Sequence, residues 1–197
     1  MPYSKSHKQN TRERILNSAV TLFSRLGYDN VSIDDLMKDA QLTRGAFYAH
    51  FESKSDVYFH AIPTAASNAF ALAGTKPDLK GKAWVKQFIQ TYLSEDHIDH
   101  RSTPCPLAFM VTDVANGESK VRSAYTKVFA GFAEILDAQS KDEKKTSSEQ
   151  MNKALAISAM MIGSVAIGRA LSDNKLRAEL LKSSSEIAAQ ILGVESS

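Results

Sequence analysis

Thr43, Arg44, Gly45, Tyr48 and His50 lie between Gln41 and Phe51, a stretch without an acidic residue, although the segments on either side hold several. Arg44 carries a planar fork of N–H donors that fits the O6/N7 edge of a guanine or clamps a phosphate. Thr43 and Tyr48 bring hydroxyls for phosphates, and Tyr48 adds a ring face for a thymine methyl. Gly45 lets its backbone approach a sugar–phosphate wall closely. Lys54 follows at the start of the next expected helix, where its ammonium and that helix's N-terminal amides can hold a phosphate. Ser32, at the start of the helix before, completes the set. Cationic and hydroxylic groups with no acid among them have the charge asymmetry that nucleic-acid recognition requires. That surface must be local, because 24 basic and 22 acidic residues leave the chain a formal net charge of only +2.

These residues need rigid elements to present them. Residues 1–9 are polar and basic and read as an arm. From Thr11 to Leu26 the apolar residues Ile15, Ala19, Leu22 and Leu26, widened by Leu16, Val20 and Phe23, form the stripe of an amphipathic helix. Gly27 ends it, as glycine does just past a helix C-terminus. Ser32 is placed to cap a short helix through Ala40, with Asp34 and Asp35 at its positive end. Thr43 caps a second, to about Phe51, and Ser53 a longer one, with Asp56 completing a capping box. Two short helices across a tight turn, the second outwardly lined by DNA-capable groups, make a helix-turn-helix. Ile33, Leu36, Met37, Leu42, Ala46, Phe47 and Phe51 are expected to pack inward on Ile15, Ala19, Phe23 and Leu26.

Beyond residue 60 the pattern stays helical: Lys80–Ser94, Pro104–Ala115, Glu118–Asp137, Glu149–Leu171 and Leu176–Leu192, with a polar loop over 140–148. Nothing alternates with period two long enough to form a strand. The expectation is an all-α chain of about nine helices. Ala154 to Leu171 is apolar nearly all round, but Ser158, Ser164 and Arg169 interrupt it, so it reads as a buried helix and not a membrane span. The single cysteine, Cys105, excludes an intramolecular disulfide and fits a reducing cytosol. The N-terminus lacks the apolar core of a signal peptide. Catalysis finds no support: there is no Gly-rich phosphate loop, no His-Glu-x-x-His and no nucleophile elbow. No cofactor is expected.

The segment Thr11 to Val57 strongly resembles the DNA-binding domain of the TetR/AcrR family of transcriptional regulators. It supplies Ile15-Leu16-x-x-Ala19, Gly27-Tyr28, Val31-Ser32-Ile33, Leu42-Thr43-Arg44-Gly45-Ala46-Phe47-Tyr48-Ala49-His50-Phe51 and Lys54. Two positions depart: Gln41 stands where the family usually has the turn glycine, and Met37 replaces a usual alanine. The resemblance implies a DNA-binding domain over 1–53, arm included, and an effector-binding and dimerisation domain over 54–197. It implies that the last two helices pair with their copies in a four-helix bundle. Leu155, Ala159, Ile162, Gly163 and Ala166, with Leu180, Ile187 and Ile191, are the expected dimer residues. A homodimer presents two reading helices about one DNA turn apart (roughly 34 Å), as a palindromic operator demands. The resemblance also implies a pocket for a small hydrophobic or aromatic effector that releases the DNA. Trp84, Phe88, Tyr92, Cys105, Phe109, Met110, Tyr125, Phe129 and Met160 are its candidate lining, and the cytoplasm its compartment.

Cys105 precedes Pro106, which suits the first position of a helix, so the thiol feels whatever positive field that helix end carries. The stretch from Tyr92 to Ala108 resembles a family subgroup with a Gly-Cys-Pro/Leu signature, but Pro104 takes the place of its glycine. A redox- or electrophile-sensing repressor acting through Cys105 is therefore one competing reading, with a small partly buried thiol as the plainer alternative. A helical small-molecule-binding protein with an incidental DNA head is another. The run Asp96-His97-Ile98-Asp99-His100 holds metal-capable side chains but no convincing partners elsewhere, and reads as a solvated loop with no metal.

Overall fold

The computed structural model describes residues 5–73, 79–99, 104–140 and 146–194. Those residues form eleven helices and no strand: α1 (Lys5–Leu26), α2 (Ile33–Asp39), α3 (Arg44–Tyr48), α4 (Lys54–Ala73), α5 (Gly81–Tyr92), α6 (Glu95–Ile98), α7 (Pro106–Phe109), α8 (Val111–Ala115), α9 (Ser119–Gln139), α10 (Ser147–Ala170) and α11 (Asn174–Leu192). The chain is all-α, with more helices than the nine expected. A split helix and an added short one make the difference of two. The expected Pro104–Ala115 helix breaks at Met110 (φ −119°, ψ 4°) into α7 and α8. Residues 96–98 of the run expected as a solvated loop join Glu95 in α6, and Asp99 is its C-cap. Its Ser94 cap accepts from the His97 amide, and the His97 ring is buried with Nδ1 2.7 Å from the Tyr92 carbonyl oxygen. His100, Arg101 and residues 141–145 of the expected polar loop lie outside the described residues, as do residues 1–4.

The chain divides into two compact units, Met1–Ser67 with Cys105–Thr126, and Asn68–Pro104 with Lys127–Ser197. In the first, α1 begins at Lys5 rather than Thr11, so most of the expected arm is helical. Polar residues carry the added turns and give no apolar stripe to read. Ile15, Ala19, Phe23, Leu36, Met37, Phe47 and Phe51 are almost wholly buried, as the stripe requires. Leu26, the last residue of α1, is 50% exposed, and Ile33, Leu42 and Ala46 are half-buried. Buried Ser18 ties the helices together by donating to the Leu36 carbonyl at 3.0 Å.

Each turn in this unit has its own device. Gly27 ends α1 at φ +81°, its amide donating to the Phe23 carbonyl at 3.0 Å. Ser32 and Asp35 form the reciprocal capping box that opens α2. Ser53 accepts from the Asp56 amide at 3.0 Å, but the Asp56 carboxylate takes the Glu52 amide at 3.1 Å instead of closing back on Ser53. Tyr28 is held by both peptide groups: Asp113 of α8 accepts from its N–H at 2.8 Å, and Lys54 of α4 donates to its carbonyl at 2.9 Å.

In the second unit α10 and α11 pack side by side and antiparallel, with Ser164 and Ser184 hydroxyls 2.7 Å apart in the seam. Thr146 and Glu149 close a capping box at the start of α10, and Gly193 ends α11 at φ +64°. Gly168 lets α6 approach α10: a Cβ there would lie 2.6 Å from Ile98 Cδ1. The Arg177 fork of α11 reaches Glu95, the first residue of α6, at 3.0 Å and Asp99, its C-cap, at 3.4 Å. On α5, Trp84 stacks on Phe88 at 4.8 Å, and Phe88 and Tyr92 each meet Phe132 of α9 at 5.5 Å. α10 is long and apolar enough to cross a membrane by composition, but it packs on α11. Its outer face exposes Leu155 (38%) and Ile167 (54%), and α11 exposes Leu176 (48%), Ile187 (44%) and Ile191 (40%). Ala159 is also exposed, and Gly163, Ala166 and Leu180 are half-buried. Ile162 is buried at 7% exposed, although it shares the α10 face of Leu155 and Ala159, seven and three residues before it.

Candidate nucleic-acid interface

The candidate surface lies wholly in the first unit and is built from α3 outward. α3 is a single turn and a half, too short to be stable alone. It is held by Phe47, buried on α3, and by Phe51 just after it, whose rings meet at 5.8 Å. With that side anchored, Thr43, Arg44, Gly45 and Tyr48 all project outward and are exposed, Tyr48 by 56%. Thr43 occupies the N-cap position but makes no side-chain cap bond. Gly45 has no atom within 4 Å of where a Cβ would sit, so nothing inside the unit requires a glycine there.

The turn before α3 has a strained residue. Gln41 lies at φ +54°, in the left-handed region that its glycine-like position implies. Arg14 of α1 clasps this corner, with Nη2 2.6 Å from the Ala40 carbonyl oxygen and 3.3 Å from that of Gln41. The Leu42 amide then returns to the Met37 carbonyl at 2.8 Å. A non-glycine left-handed residue costs roughly 1–2 kcal/mol, and these bonds offset part of it.

Arg44 is paired with Asp34 at 2.6 Å, both side chains about three-fifths exposed. Lys54 lies 4.2 Å from the centroid of the Tyr28 ring besides bonding its carbonyl. Ser32 is committed to its box: its hydroxyl donates to Asp35 Oδ2 at 2.6 Å and accepts from the Asp35 amide at 3.1 Å. Its place at this surface is therefore as the cap of α2. His50 is half-buried, and burial first, then the positive charges of Lys8 and Arg12, hold its imidazole below the usual value. Lys8 belongs to the part of α1 that sequence patterning did not resolve, and Arg12 to the first turn of the helix expected from Thr11. Arg12 also lies over the Phe51 ring at 5.0 Å. The signal for Lys8 was present in the basic residues before Thr11, which include no acid, but no apolar stripe marked them as helix.

The candidate effector residues fall in both units. In the first, Cys105, Phe109 and Met110 are buried and Tyr125 is half-buried. Tyr125 donates to the Leu107 carbonyl at 2.7 Å, and burial first, then the neighbouring Cys105, push its phenol up to about 12. In the second, Phe88 and Tyr92 are buried, and Trp84, Phe129 and Met160 are half-buried. Cys105 is the N-cap of α7 with Pro106 at N1, as its sequence context implies, but it is only 5% exposed. α7 is four residues long, so its macrodipole at the thiol is small.

Geometry of this kind defines a helical protein with a helix-turn-helix head. The family of bacterial regulatory proteins, tetR family (TetR_N), matches residues 15–61, which cover α1 from Ile15 through α2 and α3 into α4. This segment belongs to the tetR family. Over 51 residues the chain is 35% identical to the biofilm operon icaADBC HTH-type negative transcriptional regulator IcaR of Staphylococcus aureus (strain Newman), a match spanning 26% of this chain and 27% of IcaR. Over 65 residues it is 40% identical to the HTH-type transcriptional regulator AcrR of Shigella flexneri, spanning 33% of this chain and 30% of AcrR. The chain thus matches less than a third of the length of these relatives. The crystal structure of E. coli NemR in its reduced form superposes with a TM-score of 0.77 at 18% identity, covering 95% of this chain and 99% of NemR. That likeness carries the helical fold through the residues beyond the head.

Proposed function

We propose that the chain is a ligand-responsive transcriptional regulator, most simply a repressor, that binds a palindromic operator as a homodimer in the cytoplasm. The observation that carries this reading is the outward face of α3. Thr43, Arg44, Gly45 and Tyr48 are exposed together while Phe47 and Phe51 anchor the turn behind them. Lys54 and His50 flank that face, and Ser32 caps the helix that braces it. Lys8 and Arg12 add positive charge beside His50. The matched relatives are described as a negative transcriptional regulator and a transcriptional regulator, which supports regulation over catalysis.

The division proposed is a DNA-binding domain over 1–53 and an effector and dimerisation domain over 54–197. The exposed row of Leu155, Ala159 and Ile167 on α10, with Leu176, Ile187 and Ile191 on α11, supports dimerisation. Large apolar side chains grouped on one face are characteristic of an interface. Ile187→Arg should convert a dimer to a monomer in light scattering and abolish binding to a full palindrome; an unchanged mass would remove this face from the interface. A small hydrophobic or aromatic effector that favours one spacing of the two heads would shift the equilibrium away from DNA.

The test is a shift assay on duplexes selected from a randomised library, repeated over a range of salt. Specific binding that weakens steeply with salt supports the reading. A chain that selects no duplex at any salt is instead a helical small-molecule-binding protein with an incidental head. If the chain binds DNA, Cys105→Ser under quinone or peroxide challenge separates a redox signal from a ligand signal. The structure called NemR reduced form motivates the redox alternative, while the 5% exposure of Cys105 favours the ligand reading.

A further inference from the structure

Two aspartates open α2, and the structure uses them differently. Asp35 closes the capping box with Ser32. Asp34 takes no part in it and reaches across the turn instead, its Oδ2 accepting from Arg44 Nη1 at 2.6 Å. The side chains are 61% and 62% exposed, and an exposed pair of this kind contributes little to folding. An acid beside a surface that meets phosphates also weakens every contact with them through repulsion. Its place in the first turn of α2 suits the helix dipole, but neither stability nor attraction to DNA explains its reach to Arg44.

Its effect on Arg44 explains it. An arginine at the first position of a reading helix can swing to a phosphate or turn its fork to a guanine edge, and only the second choice carries sequence information. The Asp34 carboxylate occupies one Nη1 donor and leaves Nη2 and Nε for a base. It restrains the guanidinium plane, so less side-chain freedom is lost on docking. It also places negative charge where a competing phosphate would have to sit. We infer that Asp34 is a positioning residue that commits Arg44 to a guanine edge rather than to the backbone. This rests on the DNA-binding reading above and adds a specificity determinant to it.

The test uses the full chain and the duplex that the wild-type protein selects from a randomised library. Wild type, Asp34→Asn and Arg44→Lys are titrated at one salt concentration. The duplexes are the selected one, its single-base-pair variants and an unrelated sequence, and thermal melting checks that each protein is folded. Asp34→Asn is expected to bind the unrelated duplex several-fold more tightly than wild type. It should lose discrimination by about tenfold at one G·C pair in each half-site while the other positions keep theirs, as expected for one bidentate contact. Arg44→Lys, which keeps the charge without the fork, should lose discrimination at the same pair. A discrimination profile for Asp34→Asn that superposes on wild type overturns the proposal, whatever happens to absolute affinity. So does an equal loss at every position accompanied by a lower melting temperature, which would make the pair structural. Failure of the wild-type chain to select any duplex is a distinct result that removes the DNA-binding reading and this role with it.

Discussion

Lys54 and Tyr28 are joined twice: the ammonium donates to the Tyr28 carbonyl at 2.9 Å and lies 4.2 Å from the centroid of its ring. Asp113 holds the N–H of the same residue at 2.8 Å, so charged groups from α4 and α8 grip both sides of the turn after α1. Lys54 therefore serves the fold as well as the proposed DNA surface. Lys54→Ala should lower stability by about 1–2 kcal/mol, the sum of one hydrogen bond and one partly exposed cation–π contact. On DNA it should weaken binding to selected and unrelated duplexes alike, with a shallower dependence on salt. Thermal melting and a salt titration read the two effects separately. A change in base preference would contradict a backbone role.

Gln41 makes a test of turn strain. At φ +54° the side chain's Cβ is crowded against its own backbone. Gln41→Gly removes that cost but gives the unfolded chain more freedom, about 0.5–1 kcal/mol of opposing entropy. The net expectation is a stabilisation of up to about 1 kcal/mol. Gln41→Val, with a branched Cβ, should destabilise by at least about 1 kcal/mol. Denaturant unfolding of both variants checks this, and a Gln41→Val protein as stable as wild type would show that the turn relaxes at no cost.

The same residue shows what was legible in the sequence and what was not. Motif spacing located the turn, the two helices and the buried Phe47 and Phe51 because local chemistry sets each of them: a cap, a glycine stop, a 3.6-residue stripe. The early start of α1 was not legible, since residues 5–10 are polar and a solvated helix leaves no apolar period. Leu26 was misplaced for a related reason. Periodicity says which residues share a face but not where a packing partner ends, or which face meets it. The break at Met110 and the buried His97, whose ring meets the Tyr92 carbonyl five residues back, had no periodic signal to read. The Asp34–Arg44 pair is tertiary, ten residues apart in the chain and 2.6 Å apart in space.

Gly45 separates folding from binding. No atom lies within 4 Å of its missing Cβ, and its backbone is helical, so Gly45→Ala meets no clash inside the unit. Alanine is the better helix former by about 1 kcal/mol, and the variant should melt at the same temperature or higher. If the glycine serves close approach to a sugar–phosphate wall, the added methyl should weaken DNA binding by tenfold or so, equivalent to about 1.4 kcal/mol. Equal affinity with raised stability would show that α3 stands off the backbone at this point.

His50 ties the surface to pH. Its imidazole is held below the ordinary value by burial and then by Lys8 and Arg12, so the folded chain resists a proton that the unfolded chain accepts. His60 is lowered in the same direction, by burial and Arg12 ahead of the opposing Asp56 carboxylate. For a depressed histidine the folded state binds fewer protons than the unfolded one. Stability is therefore full above the unfolded value of about 6.5 and declines as pH falls from there towards the folded values. DNA reverses the sign at His50, because a phosphate beside the ring favours the cation that Lys8 and Arg12 oppose. Binding should then take up a proton, and affinity should rise as pH falls through the 6s even while the free protein loses stability. Titrations at pH 6 and pH 7.5 at fixed ionic strength check this. His50→Gln should flatten the pH dependence of affinity and leave the His60 contribution to stability in place. An affinity independent of pH in the wild-type chain would place His50 away from the phosphates.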